Sequence, residues 1–504
     1  MTPAEPDGTA RFGADVRLPG MMYAAIKQGP VHGGALKSAT GPAGIKLVKG
    51  ETWVAAVADT WWGAKTALDG VKASWAAADK PAGPWMDKAL ADALTGEGVK
   101  AFRDDGDVEG TLKGKIVAAD YTVPFLAHAC LEPMTATARI ENGRVEVWAP
   151  TQSITLVNWG VAKALGVDEA SIYVYPTLLG GGFGRKAEVD ACVQAALIAK
   201  ATGKPVQLIW SREEDMAHDM YRPPAHARFK AVLGPDKRIA ALDCTMAVPS
   251  CGASFFSRNL PAMAPSPEKP DGQSLGGAKD TPYAIPNLRV SHAPVVVPVP
   301  LGFWRSVENS YTAFFMESFV DEMAAEAGVD PLTFRLRMLE NHPRHAEVLK
   351  VAASRGQFMG AGDGVARGIA LHESFGSIVA QVAEVEVKPG EGIVVKRVTC
   401  AVDCGIVVNP DIVRQQMEGA ILFGLSAALK GAITFADGHA VETNFDGYPL
   451  LTMADTPEIE VIIIASTERP TGVGEPGTPP IAPAVANAVF AATGQRLRSL
   501  PFKV

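Results

Sequence analysis

Cysteine is scarce in this sequence and never paired. Cys130, Cys192, Cys244, Cys251, Cys400 and Cys404 form no CxxC. An iron–sulfur cluster needs about four cysteines at tight spacing, so none is expected in this chain. Nothing suggests a disulfide framework. Cys400 and Cys404, spaced i, i+4 in a β-rich run, read as two small buried residues on one strand face. Long apolar runs are also missing. Nothing approaches the ~20 residues of a membrane-crossing helix, and the longest candidate, around 461–465, reads as a buried strand. Basic clusters are absent from a chain of net charge -8, which argues against nucleic acid, because phosphate backbones demand clustered Lys and Arg. The N-terminus, MTPAEPDGTARFG, lacks an apolar signal core. An export signal, if one is used, is expected on a partner, so the chain alone leaves cytoplasm and periplasm open.

What is present is a globular composition of 47% hydrophobic and 20% charged residues. A length of 504 residues exceeds one core and suggests about three domains. Gly and Pro punctuate many short elements, as in a large α/β or α+β enzyme. Residues 1–115 read as a separate α/β unit, with strands at 22–26 and 52–57, a helix over 58–71, and an irregular, charged linker over 79–115. From residue 115 strands alternate (IVAADYTVPF, GRVEVWAP), followed by a helix over 153–165 with Thr151 or Ser153 as N-cap. The strand SIYVYP runs into the loop 179–186, and an apolar helix covers 189–201. A β-rich region extends to about 288, then helices at 312–326 and 331–339. A composition shift over 342–363 suggests a second boundary. Strands at 365–408, a helix at 413–429, hairpins to about 465, the loop 472–477 and a helix at 483–492 complete the chain.

Several loops are candidates for chemistry. Gly472–Pro480 (GVGEPGTPP) matches GxGxxG, yet it fails as a dinucleotide fingerprint. Only 27 residues follow Gly477 and they contain no Asp or Glu, whereas a nucleotide fold needs a second strand and an acidic residue about 20 positions on. Its single carboxylate, Glu475, is walled by Gly and Pro. It reads either as a solvated turn residue or as a general base whose apolar neighbours favour proton uptake. Gly180-Gly181-Gly182-Phe183-Gly184 has more glycine than a turn needs, which favours an anion or oxyanion site made by backbone N–H groups at a helix start. Gln152, at a strand end, reads alone as a cap. Arg305 in Gly302-Phe303-Trp304-Arg305 could hold a carboxylate or an aromatic ring, or be a structural ion-pair partner. His128, His226 and His372 lie far apart and read as core or loop residues, not zinc ligands.

In order and spacing, the stretches LEPMTATARIENGRVEVWAPTQS, LLGGGFGRK, WSREEDM, GFWRSVENSYTAFFMESFVDEMA, AVDCGIVVNPDIVRQQMEGAILFGL and GVGEPGTPPIAPAVANAVFAATG resemble the molybdenum hydroxylases, a family that includes xanthine dehydrogenase and aldehyde oxidoreductase. The isoquinoline 1-oxidoreductase β-subunit type is the nearest pattern. The resemblance implies an α+β (α/β) fold with an α/β-hammerhead-like domain (1–115) and two elongated cofactor-binding domains (116–345 and 346–504). It implies a molybdenum cofactor, in the cytosine dinucleotide form of molybdopterin, whose metal is held by the pterin dithiolene and by no protein side chain. Gln152, Gly181, Gly182, Phe183, Gly184, Arg185, Gln416 and Gly474 would bind that cofactor, with the Gly184 N–H turned to an oxo group. Phe303, Trp304 and Arg305 would face substrate, and Glu475 would be the base. The substrate would be an aldehyde or an N-heteroaromatic carbon. A purine is disfavoured, since Lys186-Ala187 stands where purine-oxidising relatives have Lys-Glu. Electrons would pass to a small [2Fe–2S] subunit, with a cytochrome c as candidate onward acceptor. The family's MGQG stretch and the Gly/Ser-rich pterin segment after it are missing, so a second chain is expected to supply them, unless the sequence is a fragment. The rival readings are a subunit without turnover and, from the glycine loops alone, a flavin or nicotinamide dehydrogenase.

Overall fold

The computed structural model describes residues 8–30, 34–358, 365–388 and 392–504. The polar start of the chain up to residue 7 and the end of the 342–363 composition shift lie outside the described residues. Among the described residues three sheets organise a mixed α/β architecture. The first has seven strands in the order Ile172–Pro176, Arg144–Ala149, Thr135–Glu141, Val206–Ile209, Met22–Gln28, Trp53–Ala58 and Lys46–Lys49. Alternate residues of its strands point to opposite faces. Ala24 and Ile26 join the core beneath helices Ile154–Leu165 and Asp190–Thr202, while Ala25, Val54 and Ala56 pack on helix Trp61–Asp69. Covering on both sides explains why Trp53–Ala58 (WVAAVA) is apolar at every position instead of every second one.

The second sheet runs Lys100–Asp105, Asn287–Pro294, Ile239–Val248, Ala225–Leu233 and Val117–Val123, and the third runs Ala366–Ser374, Ser377–Lys388, Gly392–Asp403 and Glu458–Ile463. Helix Asn309–Ala327 belongs to the large core shared by these two sheets. A helix in that place is buried all round, and its carboxylates must then be satisfied internally. Glu317 accepts from the Tyr283 hydroxyl at 2.6 Å, Arg335 Nε at 2.9 Å and the Leu371 N–H at 2.9 Å. Glu322 accepts from Tyr121 at 2.6 Å and from Arg498.

Four expectations need correction. Residues 1–115 do not stand apart: Met22–Gln28 pairs in parallel with Val206–Ile209, and Lys100–Asp105 pairs with Asn287–Pro294. Residues 79–115 are not an irregular linker, because they contain helix Trp85–Ala93 as well as that strand. The division at 345/346 falls inside helix Pro343–Arg355, which packs on the third sheet through Val348, Leu349 and Ala352. The apolar run near 461–465 belongs to a half-buried edge strand, Glu458–Ile463, paired on one side only. Composition could not foresee these, since sheet partners are chosen by faces that meet across long stretches of chain.

Candidate active site

The glycine loop is held from behind by Glu132. Its carboxylate accepts from the Gly13 and Gly180 N–H groups, both at 2.9 Å, and from the buried ammonium of Lys186. The loop backbone is left-handed at Gly181, Phe183 and Gly184, with φ of 98°, 53° and 105°. Gly184 is required twice over. Glycine alone tolerates that φ cheaply, and a β-carbon there would lie 1.4 Å from the Phe303 carbonyl oxygen. The loop does not open a helix as expected, because a short turn, Arg185–Ala187, separates it from helix Asp190–Thr202.

Gln152 sits across from the loop. Its N–H donates to the Lys186 carbonyl at 2.8 Å, and its Oε1 accepts the Gly184 N–H at 3.1 Å. That amide hydrogen is therefore engaged by Gln152 in this structure. No side chain caps helix Ile154–Leu165: Ser153 holds the N-cap position without a cap bond, and the Thr151 hydroxyl accepts the Ser153 N–H at 3.0 Å ahead of the helix.

Arg185 departs from its expected place. It is buried and turned inward, paired with Asp190 at 2.7 Å and Asp219 at 3.1 Å. Burial alone would lower its pKa, but these carboxylates hold it above the ordinary arginine value. Asp219 also accepts His128 Nδ1 at 2.9 Å, and His128 Nε2 lies 3.0 Å from the Phe303 carbonyl. Burial would raise the Asp219 pKa, yet His128 and Arg185 beside it outweigh that and hold it below the usual carboxylate range. Burial pushes the nearby Cys130 thiol up to about 12, which leaves it un-ionised.

The GFWR loop and the Glu475 loop meet through Arg305 and Ser306. Arg305 Nε and Nη2 donate to the Gly474 carbonyl at 2.8 and 2.5 Å, and Nη2 also reaches Gln416 Oε1 at 3.0 Å. Burial brings Arg305 down to about 10, with Glu475 opposing, so it remains a cation at neutral pH. Ser306, left-handed at φ 76°, donates its N–H to Glu475 Oε1 at 2.9 Å and its hydroxyl to the Glu475 carbonyl at 2.8 Å. Arg305 thus locks the catalytic candidate in place through the loop backbone. Gln381 Nε2 fixes the far end of that loop at the Gly477 carbonyl, 2.7 Å away.

Between these parts lies a cavity of about 540 Å³, whose lining includes Gly181, Phe183, Trp304, Arg305 and Phe423. Phe423 stacks on Phe183 at 4.3 Å and on Trp304 at 4.5 Å. Phe303 is turned away onto Phe255, at 4.8 Å. Of the expected residues, Gly181, Phe183, Trp304 and Arg305 line the cavity; Gln152, Gly182 and Gly184 adjoin it through the glycine loop, and Gln416, Gly474 and Glu475 through their bonds to Arg305 and Ser306, while Arg185 and the Phe303 side chain lie outside. Sequence reasoning missed Glu132, Asp219, Ser306 and Phe423, and it read His128 as a core or loop residue without foreseeing that it lines the cavity. Glu132 and His128 at least stood in one short stretch, HACLEP.

Molybdopterin cofactor-binding domain families match residues 95–339 and 322–457. The isoquinoline 1-oxidoreductase subunit beta of Brevundimonas diminuta is 33% identical over 99% of this chain and 67% of its own length. A membrane-bound aldehyde dehydrogenase of Gluconacetobacter polyoxogenes is 31% identical over 99% of this chain and 70% of its own. In fold, the quinoline 2-oxidoreductase of Pseudomonas putida 86 superposes with a TM-score of 0.82 at 14% identity, covering 99% of this chain and 95% of that one. The aldehyde oxidoreductase of Desulfovibrio gigas gives 0.82 at 16%, covering 99% and 78%. No helix among the described residues is long and apolar enough to cross a membrane. With the cofactor-binding domains spanning both sides of the cavity, the chain belongs to the molybdenum hydroxylase family, as a molybdopterin-binding large subunit of these oxidoreductases.

Proposed function

We propose that this chain is the catalytic subunit of an assembled hydroxylase that oxidises an aldehyde or an N-heteroaromatic carbon with oxygen from water. The observation that carries the reading is the Glu475 carboxylate, held by the Ser306 N–H through Oε1. Among the described residues no donor meets its Oε2.

The cavity fits a cofactor of the implied kind. Its lining contains no Asp or Glu, and it does contain Arg305, His128 and the four aromatic side chains Phe183, Trp304, Phe423 and Tyr448. Among the described residues no acceptor meets the N–H groups of Gly181, Gly182 and Phe183. Such a wall suits an anionic group with a flat ring system. These N–H groups and Gln152 would hold the molybdenum cofactor, for which we propose the cytosine dinucleotide form, and Gln416 and Gly474 would shape its edge through Arg305. When bound, the cofactor supplies the two-electron oxidation and oxygen transfer.

The protein's part is position and proton handling. Glu475 takes a proton from water at Oε2, the oxygen left open by Ser306. Arg305 fixes the loop that carries it, and the Phe183–Phe423–Trp304 stack excludes bulk water. The proposed partners are a small [2Fe–2S] subunit, a second pterin-binding polypeptide and a cytochrome c acceptor. That relatives bear subunit names supports the coarser point of a multi-chain enzyme.

The test is Glu475→Gln in the assembled, molybdenum-loaded complex, assayed on aldehydes and N-heteroaromatics. Loss of a general base costs about 10²–10⁴-fold. Unchanged turnover with molybdenum retained would sink the assignment.

A further inference from the structure

Directly behind the Glu475 loop stands a carboxyl that the proposed mechanism leaves unused. Glu308 is the last residue before helix Asn309–Ala327 and lies two positions beyond Ser306. Its Oε2 is buried and has no hydrogen-bond partner. Its Oε1 presses on Gly276, where a β-carbon would lie 2.5 Å away. The same side chain lines a cavity of about 10 Å³ with Asp271, Gln273, Arg222 and Tyr311, room for about one water molecule.

No donor among the described residues reaches Glu308 Oε2. Asp271 is already filled, accepting from Ser250 at 2.7 Å, Ser274 at 3.2 Å and the Gln273 N–H at 2.9 Å. Arg222 spends Nη2 on the Pro124 carbonyl, and Lys279 reaches outward to Asp280 at 3.3 Å. The titratable and charged groups facing Glu308 are Asp271, Glu475, Lys279, Tyr311, Cys251 and Arg222, whose buried Nε has no hydrogen-bond partner. A buried carboxylate with one oxygen unpartnered, and with the carboxylates of Asp271 and Glu475 nearby, is costly, and keeping a proton removes that cost.

We propose that Glu308 is a proton-holding positioning residue: while protonated it leaves Glu475 without a second negative charge behind it, and on ionising it alters the field at Glu475. Burial, with Asp271 and Glu475 adding to it, brings Glu308 up to about 7, so the switch falls in the neutral range. The consequence for turnover rests on the reading of Glu475 as the base. The charge coupling between the two carboxyls does not.

The experiment follows the melting temperature and the infrared band of protonated carboxyls in the full chain, from roughly pH 5 to 8, for wild type, Glu308→Gln and Glu475→Gln. A carboxyl with a raised folded pKa holds its proton in the native state after the unfolded chain has lost it, so stability falls as pH rises through the folded value. Wild type is expected to show that fall together with loss of the band, and E308Q to remove the part of both that titrates near 7, leaving the part belonging to Asp215, which burial brings up to about 6. E475Q removes a like charge and is expected to shift the midpoint to lower pH. An unchanged band in E308Q, or an unmoved midpoint in E475Q, overturns the proposal. Because E475Q leaves Glu308 in place, it decides the matter even if E308Q does not fold. In the loaded enzyme, E308Q is expected to remove the inflection near neutrality from the pH profile of turnover. If E475Q shifts the midpoint but keeps turnover, the base assignment fails and the coupling stands.

Discussion

Arg305 grips the carbonyl oxygen of Gly474 with two nitrogens, Nε at 2.8 Å and Nη2 at 2.5 Å, across 169 positions of chain. A lysine cannot reproduce this. It offers one ammonium, where the guanidinium donates to Gly474 in parallel and reaches Gln416 as well. Arg305→Lys should therefore let the Glu475 loop drift. Displacement of a catalytic group by about 1 Å can cost on the order of 10²-fold. Steady-state kinetics on the loaded complex should show kcat falling with molybdenum content unchanged, and a normal kcat would mean that the grip is dispensable.

Gly184→Ala should be far more disruptive than its size suggests. The new methyl would overlap the Phe303 carbonyl in a left-handed backbone, so the glycine loop and the GFWR loop must separate. Where the native conformation is incompatible, such a change costs more than about 1 kcal/mol. Urea unfolding and metal analysis should report lower stability and lower molybdenum retention together.

Glu132→Gln should leave the Lys186 ammonium buried without its counter-charge. Breaking a buried pair from one side costs about 3–5 kcal/mol. The double substitution Glu132→Gln with Lys186→Met should recover part of that loss, because no unpaired charge remains. A double-mutant cycle by denaturant unfolding measures the difference. Strict additivity would show that the two residues do not act as a pair.

His372 sets an acid limit. Burial lowers its pKa to about 4, against 6.5 for an ordinary histidine, and its Nε2 lies 2.8 Å from Asn309 Oδ1. Between those values the unfolded chain is protonated and the native one is not. Stability is therefore full above about pH 6.5 and falls as pH drops toward 4, by on the order of 3 kcal/mol. His372→Gln should flatten that window in melting curves, and an equally steep decline in the variant would assign the loss elsewhere.

Much of this molecule could be read from the chain, and the limits have physical causes. The helix expected at 331–339 is found at Pro331–Met338, where the structure adds a cap that the sequence analysis did not name: the Asp330 side chain accepts the Thr333 N–H. Each loop of the site was visible as a motif, because glycines, aromatics and a lone carboxylate cluster locally. The way the loops meet was not. The bond from the Ser306 N–H to Glu475 spans 169 positions, and nothing in either segment names the other. Arg185 misled because it adjoins the glycine loop, whereas its place is decided by Asp219, thirty-four positions on, at 3.1 Å. Glu308 was invisible for a related reason: a glutamate at a helix start normally faces water, and only the fold presses it against Gly276.

The pairing of Lys100–Asp105 with Asn287–Pro294 also has a meaning in time. A strand made early cannot find its neighbour until nearly two hundred further residues have been synthesised. At cellular rates of elongation this is a delay of roughly 10–40 s, during which Lys100–Asp105 waits without its partner. Lys100, Arg103 and the three aspartates between 100 and 107 suit that interval, since charge on a waiting strand discourages it from pairing with another nascent chain.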